Sequence, residues 1–265
     1  MIESERKQII DLVRREVIPA IGCTEPIAVA LCVAKAVETL GTKPENIKVF
    51  LSANILKNAM GVGIPGTGMI GLPIAVALGA IIGKSEYQLE VLKDSTPEAV
   101  KLGKQYINEN RVCISLKEGI AEKLYIEVLC EAEGKVATAI IAGGHTTFIY
   151  IARGEEILFS KQPVGTEEQD EQNLDLNLKK VYDFALTAPL EEIRFILETA
   201  RLNKAAAESS FQGDYGHALG KVLRGRYEHQ IMGDSVFSHI LSYTSAACDA
   251  RMAGAMIPVM SNSGS

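Results

Sequence analysis

The chain has 265 residues, 47 % apolar and 23 % charged, with a net charge of −6. That is enough for one large domain or two modest ones around a buried core. The acidic balance, with no long basic run, argues against nucleic acid or an anionic membrane surface as main partner. The charged start MIESERKQ lacks the apolar core of a signal peptide, and the longest greasy stretch, Met69 to Ile82, is 14 residues with Gly and Pro inside it. A cytoplasmic protein with no membrane partner is expected.

In chain order, Ile9, Val13 and Val17 share one helical face over 4–17, with Ser4 as N-cap and Pro19 closing the helix. A second helix is expected to begin after an N-cap at Thr24, with Glu25 and Pro26 in its first turn, and to stop at Gly41. Ile47, Val49 and Leu51 alternate with more polar neighbours, predicting a strand over 46–53. A glycine-dense loop follows, then an apolar helix near 71–82 and another over 96–108 opened by Thr96-Pro97. Residues 112–159 are strand-like, with a turn at Glu133-Gly134. The acidic stretch PVGTEEQDEQN (163–173) reads as a linker. Helices are expected over 174–186, 190–208, 215–223 and 234–256. The layout predicts an α+β fold: a mixed domain over 45–163 with an antiparallel sheet, and a helical domain formed by the flanking segments 1–44 and 164–265.

The loop KNAMGVGIPGTGMIG (57–71) matches G-x-G-x-x-G at Gly61, Gly63 and Gly66. In a dinucleotide fold the first glycine follows directly on a strand. Here NILKNAM intervenes and Pro65 sits inside the motif, so nucleotide binding is not expected. GAIIGKS (79–85) is one residue short of a P-loop and lies at a helix end. Ser52, Asn54, Lys57 and Asn58 bring polar groups to the loop. Gly66, Thr67 and Gly68 within PGTG offer backbone N–H groups, a nest suited to one small carboxylate or phosphate. The terminal SNSGS, with Ser261, Asn262 and Ser263, repeats that chemistry, and a chain cut in mid-motif is expected there.

Five cysteines in a cytosolic chain, none spaced C-x-x-C, predict no disulfide and no zinc knuckle. Cys32, Cys113 and Cys130 fall in apolar patterns and read as packing, as does Cys248. Cys23, in IPAIGCTEP just before a helix, should feel the positive end of the helix dipole, which lowers a thiol pKa. His145, on a GGHTTF turn, is a candidate acid or base. His217, His229 and His239 are weaker candidates.

Taken together, IPAIGCTEP, SANILKNAMGVGIPGTG, FQGDYG and DARMAGAMIPVMSNSGS resemble the L-cysteine desulfidase family, itself related to the alpha chains of iron–sulfur L-serine dehydratases. The resemblance implies β-elimination of L-cysteine to pyruvate, ammonia and hydrogen sulfide. It also implies a [4Fe–4S] cluster held by three cysteines, with Cys23 as one ligand and the others beyond residue 265. The substrate, a small amino acid, would place its carboxylate against PGTG, SNSGS and Arg251. Asn54 and Asn58 would fix its polar groups, and Lys57 or His145 would remove the α-proton. An L-serine dehydratase-type lyase and a non-catalytic small-anion-binding module remain as alternatives, and a homodimer is compatible with either.

Overall fold

The protein is described from a computed structural model over residues 1–161, 176–228 and 235–260. Helix α1 (Glu3–Glu16) leads through the short strand β1 (Pro19–Ile21) into α2 (Thr24–Leu40). Strand β2 (Asn46–Leu51), helix α3 (Ala53–Ala59), a hairpin of β3 (Gly63–Ile64) and β4 (Met69–Ile70), and helix α4 (Leu72–Ile81) follow. Next come α5 (Pro97–Asn108) and strands β5 (Val112–Leu116), β6 (Tyr125–Ala132), β7 (Lys135–Ala142), β8 (Phe148–Arg153) and β9 (Glu156–Ser160). The C-terminal part holds α6 (Leu178–Thr187), α7 (Leu190–Ile193), α8 (Leu197–Gln212), α9 (Leu219–Glu228), α10 (Val236–Met252) and β10 (Pro258–Met260). Among the described residues no helix is long and apolar enough to cross a membrane.

The main sheet has the order β5-β2-β6-β7-β8-β9. It is antiparallel except at one edge, where β5 runs parallel to β2. The connection through α3, α4 and α5 returns the chain in the same direction, as a crossover must for parallel neighbours. Ile47, Val49 and Leu51 of β2 turn inward, as their alternation predicts, and meet Ile126 and Val128 of β6 in one core. Cys113 departs from its packing assignment: β5 is the sheet edge, and its side chain is exposed.

Helix α2 buries 13 of its 17 residues, the mark of a helix covered on every side. One side lies on β6 and β7, the other against α4. The division that placed 1–44 with the C-terminal helices is corrected for this segment, because α2 shares the sheet's apolar core. α1 does follow it: Arg6 forms a two-pronged pair with Glu192 at 2.8 and 3.1 Å, and Arg14 lies over the Phe195 ring. The P-loop lookalike GAIIGKS is helix packing. A Cβ at Gly79 would stand 2.6 Å from the Ala30 carbonyl oxygen, so glycine there lets α4 and α2 cross closely.

The C-terminal helices have their own small core of Ala206, Ala207, Ala246, Ala247 and Val259. One strand after residue 175 was not expected. β10 pairs antiparallel with β1, Pro19 opposite Met260 and Ile21 opposite Pro258, and the Asn203 side chain accepts the Met260 N–H at 3.1 Å. Three residues are too few to show alternation in sequence. The ribbon sets Pro258 opposite Ile21, the residue just before Gly22 and Cys23.

Candidate functional site

Gly22, with φ +89°, turns the chain from β1 into α2, and Pro65 of the glycine loop stacks where a Cβ would be, 2.6 Å away. Cys23 is the N-cap of α2 by backbone geometry, one residue earlier than expected, and its side chain makes no capping bond. From the far end of the sequence, α10 presents Cys248, Arg251 and Met252, three and four residues apart and so on one helical face. Cys23 Sγ lies 3.0 Å from Met252 Sδ, and buried Arg251 donates from Nε to the Gly22 carbonyl at 3.3 Å.

The glycine loop joins this group by close packing. A Cβ on Gly63 would fall inside the Ala253 carbonyl, and the Gly66 N–H donates to Gly254 O at 3.2 Å. The anion nest expected at PGTG is therefore corrected. Gly66 N–H is taken by Gly254. Thr67 N–H and Oγ1 both donate to Ile64 O, at 3.2 and 2.7 Å, and Met69 N–H donates to Thr67 Oγ1 at 2.9 Å. These residues, with Gly66 and Gly68 at positive φ, close the β3–β4 hairpin; they do not open a helix.

His145, on the β7–β8 turn, lies within reach of the charges of Glu25 and Arg251. Burial pulls its pKa below the ordinary histidine value; the charges of Glu25 and Glu16 oppose this, and that of Arg251 adds to it. The Cys23 thiol is pushed up to about 11, chiefly by burial, with Arg251 acting against the rise. The dipole argument for a thiolate at Cys23 is thus overturned, since desolvation outweighs the helix end. Iodoacetamide at pH 8 should modify exposed Cys113 first and Cys23 at least about 100-fold more slowly, read by peptide mass spectrometry.

Glu25 was missed as a site residue, although it stands in the GCTEP stretch. Its carboxylate accepts from Thr24 Oγ1 at 3.2 Å and Asn58 Nδ2 at 3.4 Å, and its charge acts on both Cys23 and His145. Asn58 is so placed beside the group. Asn54 is not: it lines a separate open cavity of about 400 Å³ with Leu116 and Lys123. Ser52 is excluded by its bonds, since Oγ donates to Lys123 O at 2.8 Å and accepts from Tyr125 N–H at 3.3 Å, clamping β2 to β6. Lys57 is exposed on α3, so the burial on which its use as a base depends is absent. Ser261, Asn262 and Ser263 lie outside the described residues.

A cluster with three thiolate ligands does not fit what is described. Cys32 and Cys130 are enclosed in the sheet core, Cys32 Sγ donating to Ala139 O at 3.3 Å, and Cys113 is on the far edge strand. Among the described residues no three His, Cys, Asp or Glu side chains are placed to hold a metal ion. Among the described residues, the thiols at this position are Cys23 and, near it, Cys248.

Comparison with known proteins bears on the same region. The chain is 82 % identical over 265 residues to a UPF0597 protein of Bacteroides fragilis and 77 % identical to one of Bacteroides thetaiotaomicron, in each case over 100 % of this chain and 62 % of the relative. A UPF0597 protein of Porphyromonas gingivalis is 45 % identical over 271 residues, covering 100 % of this chain and 63 % of the relative. The chain thus spans less than two thirds of these relatives' length. No solved structure matches it. The family model described as Serine dehydratase alpha chain matches residues 86–265, which include His145, Cys248 and Arg251, and the chain belongs to that family.

Proposed function

We propose that the protein acts in β-elimination on a small α-amino acid with a thiol or hydroxyl on Cβ, L-cysteine first and L-serine as the second reading. The observation that carries this is the grouping of Cys23, Arg251 and Glu25 at the start of α2, with His145 within reach of the charges of Glu25 and Arg251, in a chain of the serine dehydratase alpha chain family. Arg251 pairs with the substrate carboxylate, and Glu25, steadied by Thr24 and Asn58, receives the α-ammonium. His145, held neutral by burial, takes the α-proton. The freed electron pair forms the Cα–Cβ double bond as the C–S or C–O bond breaks, and HS⁻ or hydroxide leaves with the old bonding pair. The resulting aminoacrylate tautomerises and hydrolyses to pyruvate and ammonium. A [4Fe–4S] cluster belongs to this proposal only through Cys23 and ligands outside the described residues, and no step above depends on it.

Because the chain spans 62 % of its Bacteroides fragilis relative, the assay uses a chimera with this chain in place of the matched stretch. The sign of the pH dependence follows from His145. Its folded pKa is below the ordinary 6.5, so the basic form fills as pH rises through that lowered value. Anaerobic kcat/KM should climb over the same range and level off before pH 7. His145→Gln should lower the plateau about 100- to 10,000-fold and remove that limb. An unchanged limb in the variant would remove His145 from the reaction.

A further inference from the structure

Helix α6 is amphipathic, yet its apolar stripe faces solvent. Leu178 and Leu186, two turns apart, are 86 % and 66 % exposed, Tyr182 between them is exposed, and no residue of α6 is buried. Leu190 of α7 extends the exposed apolar surface. The side of α6 that is partly covered is that of Lys180 and Phe184, both half-buried, with Lys180 paired to Glu5 of α1. The first turns of α10 show the same inversion. Ser238 and Ser242, the small residues, are buried, while Phe237 is 70 % exposed and Ile240 exposed with it. A surface helix ordinarily turns its large apolar residues inward, and contiguous exposed apolar surface marks an interaction site.

We infer that this face docks, through an amphipathic helix, the polypeptide that its relatives carry outside the matched stretch. Two observations name that occupant. The match takes in the whole of this chain but 62 % of the Bacteroides fragilis relative, so that protein carries more than a third of its length in addition. The row Leu178, Tyr182, Leu186 repeats every four residues, the ridge that packs into the groove of another helix. Within one polypeptide such docking is intramolecular, at an effective concentration on the order of millimolar. The inference stands apart from the β-elimination reading, because its readout is association.

The test mixes this chain with the relative's remaining segment, made as a separate polypeptide. Light scattering should show a one-to-one complex, and amide exchange over 178–190 and 236–241 should slow. The double substitution Leu178→Glu, Leu186→Glu should weaken binding about 30-fold or more while leaving the free chain's melting temperature unchanged, since both side chains are exposed. The chimera guards against a segment that fails to fold alone: there, exchange over 178–190 should be slower than in the 265-residue chain. Equal exchange in the chimera overturns the inference. So does a complex indifferent to the double substitution, or a self-associated free chain that the same substitutions separate.

Discussion

Replacing Arg251 with glutamine should lower kcat/KM for the proposed elimination about 100-fold, with most of the change in KM. A charge-assisted bond from a buried guanidinium contributes about 1.5–3 kcal/mol, and in the proposed reaction it would act on the substrate carboxylate in the ground state and transition state alike. Glutamine also gives up the bond from Nε to the Gly22 carbonyl, so the melting temperature should fall by a few degrees. Arg251→Lys keeps the charge but not the planar fork, and should recover only part of the KM. Steady-state kinetics beside thermal melts separate the two losses: a variant that melts lower yet keeps its KM would make Arg251 a structural residue only.

Gly63→Ala should destabilise the protein by about 2–4 kcal/mol, a large effect for one methyl group. The new Cβ would fall inside the Ala253 carbonyl and crowd Gly254, both backbone, so no flexible side chain can give way. The damage should concentrate where the glycine loop meets the end of α10, moving Arg251 and Met252 away from Cys23. Gly61→Ala is the matched control. Nothing lies within 4 Å of a Cβ at Gly61 and its φ is not positive, so the change should be within about 1 kcal/mol of neutral. Urea denaturation of both variants measures the difference. Similar stability for the two would mean that the loop does not hold the site together by close packing.

The contrast between those glycines shows where sequence reading succeeds and where it stops. Alternation at Ile47, Val49 and Leu51 and the unbroken apolar run of α4 are local signals, and each element forms where they point. Cys23 stood out because a thiol at a helix entry is a local feature too. The use of the glycines was not legible, because G-x-G-x-x-G is the same string whether the backbone approaches a phosphate or a carbonyl from residue 253. Ser52 looked available for a ligand until its partners, more than 70 residues away, occupied both its donor and its acceptor. The thiol pKa failed for the same reason: burial of Cys23 depends on Met252, a contact across 229 residues. Glu25 could have been found, since a carboxylate in the first turn of the Cys23 helix needs no distant information. α2 misled the domain division because a helix apolar on every side does not say which layers will cover it.

The most direct test of the central claim is anaerobic pyruvate formation from L-cysteine and from L-serine by the chimera, measured beside its Arg251→Gln and His145→Gln variants. The account predicts pyruvate from at least one of the two amino acids, in equal amount with released sulfide when cysteine is supplied. It predicts a raised KM in the arginine variant and a lowered kcat in the histidine variant. No pyruvate from either amino acid, or rates that neither substitution changes, would contradict it.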